Sequence, residues 1–234
     1  MHHGSAQLVV VESLAQAAAA AGQEIAAILT AAARSRGRAS LACSGGTTPE
    51  PMFRILAALP VPWELVDVFQ VDERVAPAGS PDRNATQLHR TLLAPTGLAG
   101  PRFHPMAVED DDLASAVRRY AGELRDVCDG VVDVIHLGLG DDGHTASLVP
   151  DDPALEVLTT DVALTQNYRG HVRMTLTFPI LQRANHVVWL LAGASKADVL
   201  PLLLAEDPAI PAGRVRNASM TVFADRAAAA SIKP

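Results

Sequence analysis

Val131-Val132-Asp133-Val134-Ile135-His136-Leu137-Gly138-Leu139-Gly140 runs directly into Asp141-Asp142-Gly143-His144-Thr145-Ala146-Ser147-Leu148-Val149-Pro150. The first half is a short apolar run bounded by glycine, the pattern of a buried strand. The second half is a glycine-rich turn that carries Asp141, Asp142 and His144. Its glycines turn without a Cβ penalty and let a ligand approach the backbone. The stretch thus sets an imidazole just beyond the carboxyl end of a buried strand. In open α/β sheets that is where ligands bind.

Upstream, Leu8 to Val11 reads as a strand. Leu14, Ala18, Ala21, Ile25, Ile28 and Ala32 recur at helical spacing, and Arg34, Arg36 and Gly37 close that helix. Ala39 to Cys43 is a second strand, followed by Ser44-Gly45-Gly46-Thr47-Thr48-Pro49-Glu50-Pro51. Thr47 or Thr48 can cap the next helix, with Glu50 placed three residues after Thr47 for a capping box. Such a turn presents N–H groups and a helix dipole to an anion, and an ordinary strand-to-helix turn is the alternative. Leu65 to Val71 is another strand, ended by Asp72-Glu73-Arg74, which reads as part of a site or as solvated charge. Residues 75 to 87 read as a loop whose Arg83 and Asn84 either fold over the pocket or decorate the surface. Leu88 to Pro105 reads as irregular, with a structural His104. A helix follows with Leu113, Val117, Tyr120, Leu124 and Val127 on one face, its start capped by the acids at 110 to 112.

Downstream of the central stretch, residues 151 to 170 form a long connection. Arg173-Met174-Thr175-Leu176-Thr177 alternates as a half-exposed strand does, and a short helix starts at Phe178. His186 to Ala192 reads as a buried strand, then Gly193-Ala194-Ser195-Lys196 opens a helix through Leu204. Lys196 in a first helical turn is electrostatically disfavoured unless an anion binds there; an exposed lysine is the alternative. A last strand near Met220 to Phe223 precedes an alanine-rich helix. Strand and helix alternate throughout, so the expected class is α/β, a mostly parallel sheet with helices on both faces. Neither a repeat nor a linker divides the chain, and residues 1–234 are expected to form a single domain.

Composition narrows the function classes. Of 234 residues, 49% are hydrophobic and only 4% aromatic, with a net charge of -7. That balance argues against a nucleic-acid or anionic-membrane partner. Cys43 and Cys128 lack metal or redox spacing and read as buried thiols. No apolar run reaches the roughly 18 residues of a membrane span. Met1 to Ser5, with His2 and His3, lacks the layout of a signal peptide. The scattered histidines argue no metal site.

Four strand ends carry candidate groups: Ser44 to Thr48, Asp72 to Arg74, Gly138 to His144, and Gly193 to Lys196. In a parallel sheet they converge on one edge. Arg74, Arg173 and Lys196 can neutralise an anion there, and His144 brings the imidazole suited to moving a proton near neutral pH.

These blocks carry a resemblance. Ser44-Gly45-Gly46-Thr47-Thr48-Pro49, Asp72-Glu73-Arg74, Ser80-Pro81-Asp82-Arg83-Asn84, Gly138 to Pro150, Arg173 to Thr177 and Gly193 to Lys196 resemble, in order, those of the 6-phosphogluconolactonase family. The glycine-histidine block is the most specific of them. The resemblance implies a Rossmann-like sheet shared with glucosamine-6-phosphate deaminases and ribose-5-phosphate isomerases. It implies hydrolysis of 6-phospho-D-glucono-1,5-lactone to 6-phosphogluconate in the oxidative pentose phosphate pathway, without metal or organic cofactor. By the same resemblance His144 is the base that activates water, Asp72 lies near it as the second catalytic residue, and Gly45, Gly46, Thr47, Arg74, Arg173 and Lys196 surround the small phosphorylated sugar lactone. The pathway and the missing targeting signal imply a cytoplasmic protein. Val149 stands where the family usually has Phe, and Asp151-Asp152 replace a less acidic pair. Two other readings remain at this level: a glucosamine-6-phosphate deaminase, which would release ammonia, and a sugar-phosphate binding module without turnover.

Overall fold

The computed structural model describes residues 6–98 and 102–232; the stretch with His2 and His3 and part of the irregular region before Pro105 lie outside them. Strand and helix alternate as expected: Gln7–Val11 (β1), Leu14–Arg36 (α1), Ala39–Cys43 (β2), Glu50–Ala58 (α2), Val66–Gln70 (β3) and Asp72–Arg74 (β4). Asn84–Leu88 (α3) continues through a π turn into Ala94–Thr96 (α4). Phe103–His104 (β5), Leu113–Cys128 (α5), Val134–Leu137 (β6), Val162–Leu164 (β7), Arg173–Leu176 (β8) and Phe178–Arg183 (α6) follow. Val187–Leu191 (β9), Leu200–Leu204 (α7) and Met220–Asp225 (β10) complete the order.

Seven strands form one sheet in the order β1-β10-β9-β6-β2-β3-β5, every pairing parallel. The sheet divides the core because side chains alternate across it. Leu41, Val68, Val134, Val188 and Leu190 face the layer of α1 and α2. Ala42, Phe69, Ile135, Leu137 and Trp189 face the layer of α5 and α6. Alanine is how α1 fits: Ala17, Ala18, Ala21, Gly22 and Ala32 are all buried, so the helix lies close against the strands. Ser13 caps its start and Gly37, at φ 70, ends it. Cys43 and Cys128 are free and buried. Among the described residues no helix is long and apolar enough to cross a membrane.

Several local expectations are corrected. Asp72–Arg74 does not merely end β3. It forms a strand of a second sheet, β4-β8-β7, paired antiparallel. Arg173–Leu176 is buried throughout, not half-exposed. Met174 and Leu176 enter the core, while Thr175 is fully buried and accepts a hydrogen bond from the Ser147 N–H at 3.1 Å. The Thr47–Glu50 capping box does not form. Pro49 holds the N-cap position, and the Glu50 carboxylate is drawn to Arg90 at 2.6 Å.

The expected loop through residue 87 turns helical at Asn84. The buried Glu73 carboxylate accepts from the N–H groups of Asn84 and Ala85, each at 2.8 Å, and so caps α3 from eleven residues away. The helix expected through Leu204 is broken into a 3-10 turn at Ala194–Lys196 and the short α7, because Pro201 cannot donate to the preceding turn. The alanine-rich end forms turns, not a helix: Asp225 spends its carboxylate on the N–H groups of Gly193 and Ala228.

Candidate active site

The order in which strands are added reverses between β2, from which the chain winds outward to β3 and β5, and β6, from which it winds the other way to β9 and β10. Ligand crevices in open α/β sheets form at the carboxyl ends of strands at such a point. A half-open cavity of about 340 Å³ lies there. His144, Asp72, Gly45, Gly46, Thr47, Arg74, Arg173 and Lys196, the residues singled out from the sequence, all line it. So do Arg169, Asn84 and His136.

The glycine-rich turn after β6 is braced internally. Gly140 N–H donates to the His144 carbonyl at 2.8 Å, and the Thr145 hydroxyl donates to the Gly138 carbonyl at 2.9 Å. A Cβ on Gly140 would overlap the His144 ring, so only glycine lets the imidazole fold back here. Asp142 meets that imidazole: its Oδ1 lies 2.5 Å from His144 Nδ1 and accepts from the His144 N–H at 3.1 Å. Tyr168 donates its hydroxyl to Asp142 Oδ2 at 2.9 Å. Burial alone would raise the Asp142 carboxyl, but the bonds and charge of His144, with the Tyr168 hydroxyl, outweigh it and hold Asp142 below its ordinary value. The carboxylate therefore takes the proton-bearing side of the ring and leaves Nε2 as the basic nitrogen. Nε2 makes no hydrogen bond among the described residues.

Asp72, only 4% exposed, is fixed on three sides. Ser147 Oγ donates to its Oδ2 at 2.6 Å, and Asn84 Nδ2 donates to its Oδ1 at 3.1 Å and to its backbone carbonyl at 2.8 Å. The first turn wraps tightly against this group: a Cβ on Gly45 would overlap the Asn84 side-chain oxygen. Gly46 N–H donates to Gln87 at 2.8 Å.

Four cations border the cavity. Arg74 reaches the Asp82 carbonyl at 2.6 Å. Arg173 is 7% exposed, yet among the described residues its guanidinium makes only long hydrogen bonds, 3.5 Å to Ser147 Oγ and 3.5 Å to the Tyr168 carbonyl. Burial lowers its guanidinium from the ordinary value and Asp72 pulls it back, so it stays charged. Lys196 has no ion-pair partner among the described residues. A buried, under-bonded guanidinium and an unpaired ammonium lining one cavity suit an anionic ligand. His136 is different: both ring nitrogens are buried without a partner among the described residues, and burial holds its pKa at about 3. Among the described residues no group of three His, Cys, Asp or Glu side chains is placed to hold a metal ion.

Spacing alone does not single out Asp142 as the partner of His144, although Asp-x-His in a tight turn is a usable signal. Asn84 stays open between pocket and surface in the sequence, and Tyr168, which meets the site across 26 residues, carries no local trace. The two departures at the rim have structural places. Val149 is buried, and Asp152 caps a 3-10 turn through Ala154 N–H at 2.8 Å.

A model of the family described as glucosamine-6-phosphate isomerases/6-phosphogluconolactonase matches residues 12–224. A 6-phosphogluconolactonase from Synechocystis sp. is 37% identical over 185 residues, 76% of this chain and 77% of that relative. The crystal structure of 6-phosphogluconolactonase from Thermotoga maritima superposes with a TM-score of 0.84 at 25% identity, over 94% of this chain and 99% of that one. A monomeric glucosamine-6-phosphate deaminase shares the fold at a TM-score of 0.83 and 19% identity, over 96% of this chain and 99% of that one. With the sequence blocks gathered around one cavity and a match spanning nearly its whole length, the chain belongs to the 6-phosphogluconolactonase family, related in fold to the glucosamine-6-phosphate deaminases.

Proposed function

We propose that the chain hydrolyses 6-phospho-D-glucono-1,5-lactone to 6-phosphogluconate, with His144 as the general base. The observation that carries this reading is the His144–Asp142 contact at 2.5 Å in a cavity bordered by Arg74, Arg169, Arg173 and Lys196. The carboxylate orients the imidazole, and Nε2 takes a proton from water as the water oxygen attacks C1. Negative charge develops on the carbonyl oxygen in a cavity where Arg74, Arg169, Arg173 and Lys196 outnumber Asp72 and Asp141, an excess that stabilises it. The tetrahedral intermediate then collapses, the bond from C1 to the ring oxygen breaks, and the imidazolium returns its proton to that oxygen. Water and lactone give the hydroxy acid, which ionises and releases one proton.

The phosphate is held by Arg173 and Lys196 with the Gly45-Gly46-Thr47 turn, and Arg74 borders the lactone. Asp72, immobilised by Asn84 and Ser147, accepts from the substrate and sets the ring against His144. Residues 1–234 act as one catalytic domain of the cytoplasm.

The test is proton release near pH 7 from freshly made lactone, against a control without protein because the lactone opens spontaneously. Enhancement over the control supports the reading. Folded protein without enhancement sinks it, and ammonia release from glucosamine 6-phosphate then identifies the deaminase alternative.

A further inference from the structure

The tip joining β7 to β8 reaches back over the glycine-rich turn. Tyr168 and His171 pair across it, and Arg169 at φ 51 with Gly170 at φ 88 makes the reversal. That conformation places the Tyr168 hydroxyl on Asp142 Oδ2 at 2.9 Å while Asp142 Oδ1 holds His144 Nδ1. The phenol ring stands edge-on to the imidazole, 5.8 Å between centroids. Two arginines that line the cavity lie over the same phenol ring: Arg169 at 5.0 Å and Arg173 at 5.2 Å from its centroid. Arg169 also reaches the neighbouring acid of the turn, Asp141, at 3.7 Å. Burial and the Asp142 carboxylate raise the phenol above its ordinary value, so the hydroxyl keeps its proton and acts as a donor.

We propose that Tyr168 is a positioning residue: it fixes Asp142, through Asp142 it sets the orientation of His144, and it ties that orientation to the arginines that meet the anion. The inference rests on His144 being the base. Both contacts from His144, ring and backbone N–H, fall on Oδ1, so on their own they leave Oδ2 unanchored and the carboxylate able to swing about its terminal torsion. The Tyr168 bond anchors Oδ2 from the opposite side, restricts that swing and holds the imidazole in line with the cavity. The ring that supplies this bond is itself gripped by Arg169 and Arg173. An anion drawing those guanidinium groups therefore acts on the platform that sets the base. His144 is faced by Asp142 from its own turn and by Tyr168 from the hairpin; Asp141, Asp72, Arg74, Arg169, Arg173 and Lys196 are the other charges around the cavity.

Tyr168→Phe keeps the ring and its cation contacts and removes only the hydroxyl. We expect kcat to fall about tenfold, less than the roughly hundredfold cost of a fully misplaced group, with KM changed by less than about twofold. The acid limb of the kcat/KM profile should move to higher pH, because Asp142 no longer shares its charge with a donor and favours the imidazolium more strongly. Tyr168→Ala should show the same loss in kcat and also raise KM about threefold or more by removing the arginine platform.

A second measurement needs no variant. Tyr120 and Tyr168 are the only two tyrosines, so protein labelled with 13C at tyrosine Cζ gives two signals. The Tyr168 signal should move across the pH range of the acid limb, while that of Tyr120, bonded to the Gln70 carbonyl at 2.9 Å, stays fixed. Wild-type kcat and an unmoved limb in folded Tyr168→Phe would overturn the proposal, as would a flat Tyr168 signal. Folded wild type without turnover would reject the lactonase reading, and the Cζ titration would still decide the Tyr168–Asp142–His144 link.

Discussion

His136 gives the protein a defined sensitivity to acid. Its imidazole sits in the central strand β6, 1% exposed, edge-on to Phe53 at 5.6 Å, with neither ring nitrogen bonded among the described residues. Burial lowers its pKa from 6.5 to about 3. The unfolded chain therefore binds a proton below about pH 6.5 that the folded chain refuses until about pH 3. Stability from this group is complete above pH 6.5 and declines as pH falls through that window. Each unit of difference is worth about 1.4 kcal/mol, so roughly 2 kcal/mol is lost by pH 5 and roughly 3 by pH 4.5. His136→Leu removes the titration while keeping an apolar group of similar bulk. At pH 7 the variant loses an aromatic contact worth about 1 kcal/mol and sheds two unpaired polar atoms of similar cost, so its stability should be near that of wild type. Urea unfolding of both proteins at several values from pH 7.5 to 4.5 should give curves that diverge downward for wild type, by about 2–3 kcal/mol at the acid end. Other histidines are common to both and cancel in the difference. Asp142, held below its ordinary value, loses its contribution only at lower pH, as its carboxylate takes up a proton in the fold. Parallel curves would show that His136 does not titrate as a buried neutral group and would refute the reasoning.

Other perturbations probe the site directly. Asp142→Asn replaces the orienting carboxylate with an amide that can stabilise the wrong tautomer, so kcat should drop roughly 10²–10⁴-fold while the protein stays folded with only a modest fall in melting temperature; a loss below about threefold would remove Asp142 from the mechanism. Gly45→Ala pushes a methyl group into the Asn84 side chain and should cost about 1–3 kcal/mol in a thermal melt together with most of the activity; an unshifted melt would contradict the close approach. Lys196→Ala and Arg173→Ala should each lower kcat/KM for the phosphorylated lactone by roughly 10–100-fold while sparing the unphosphorylated one, since a charge-assisted bond is worth about 1.5–3 kcal/mol. An unchanged preference between the two lactones would move both residues away from the phosphate.

What the sequence disclosed is what local spacing and parallel topology determine. An apolar run followed by Gly-x-Gly-x-x-Gly-His places the imidazole beyond a strand end whatever the rest of the chain does, and parallel pairing then brings the turns after β2, β6 and β9 to one edge. What it hid depends on contacts between distant residues. Three charged residues, Asp72 to Arg74, look like the end of β3 until β8 pairs with them. The start of α3 is invisible without Glu73, whose carboxylate caps it, and the Thr47–Glu50 spacing misleads because Pro49 takes the cap and Arg90 takes the acid. Polar alternation in β8 has the period of an exposed strand, yet Arg173 lines the cavity and Thr175 is buried against the Ser147 backbone. Tyr168 belongs to a hairpin tip with ordinary turn composition, and only the fold brings its hydroxyl to Asp142.

The central claim, that His144 activates water for lactone opening, is tested most directly by following proton release from fresh 6-phosphoglucono-1,5-lactone with wild type and with His144→Ala of equal melting temperature. Wild type should accelerate release clearly over the spontaneous rate, and kcat should be lower by about 10²–10⁴-fold in the variant. A folded His144→Ala protein that turns the lactone over at the wild-type rate would contradict that claim.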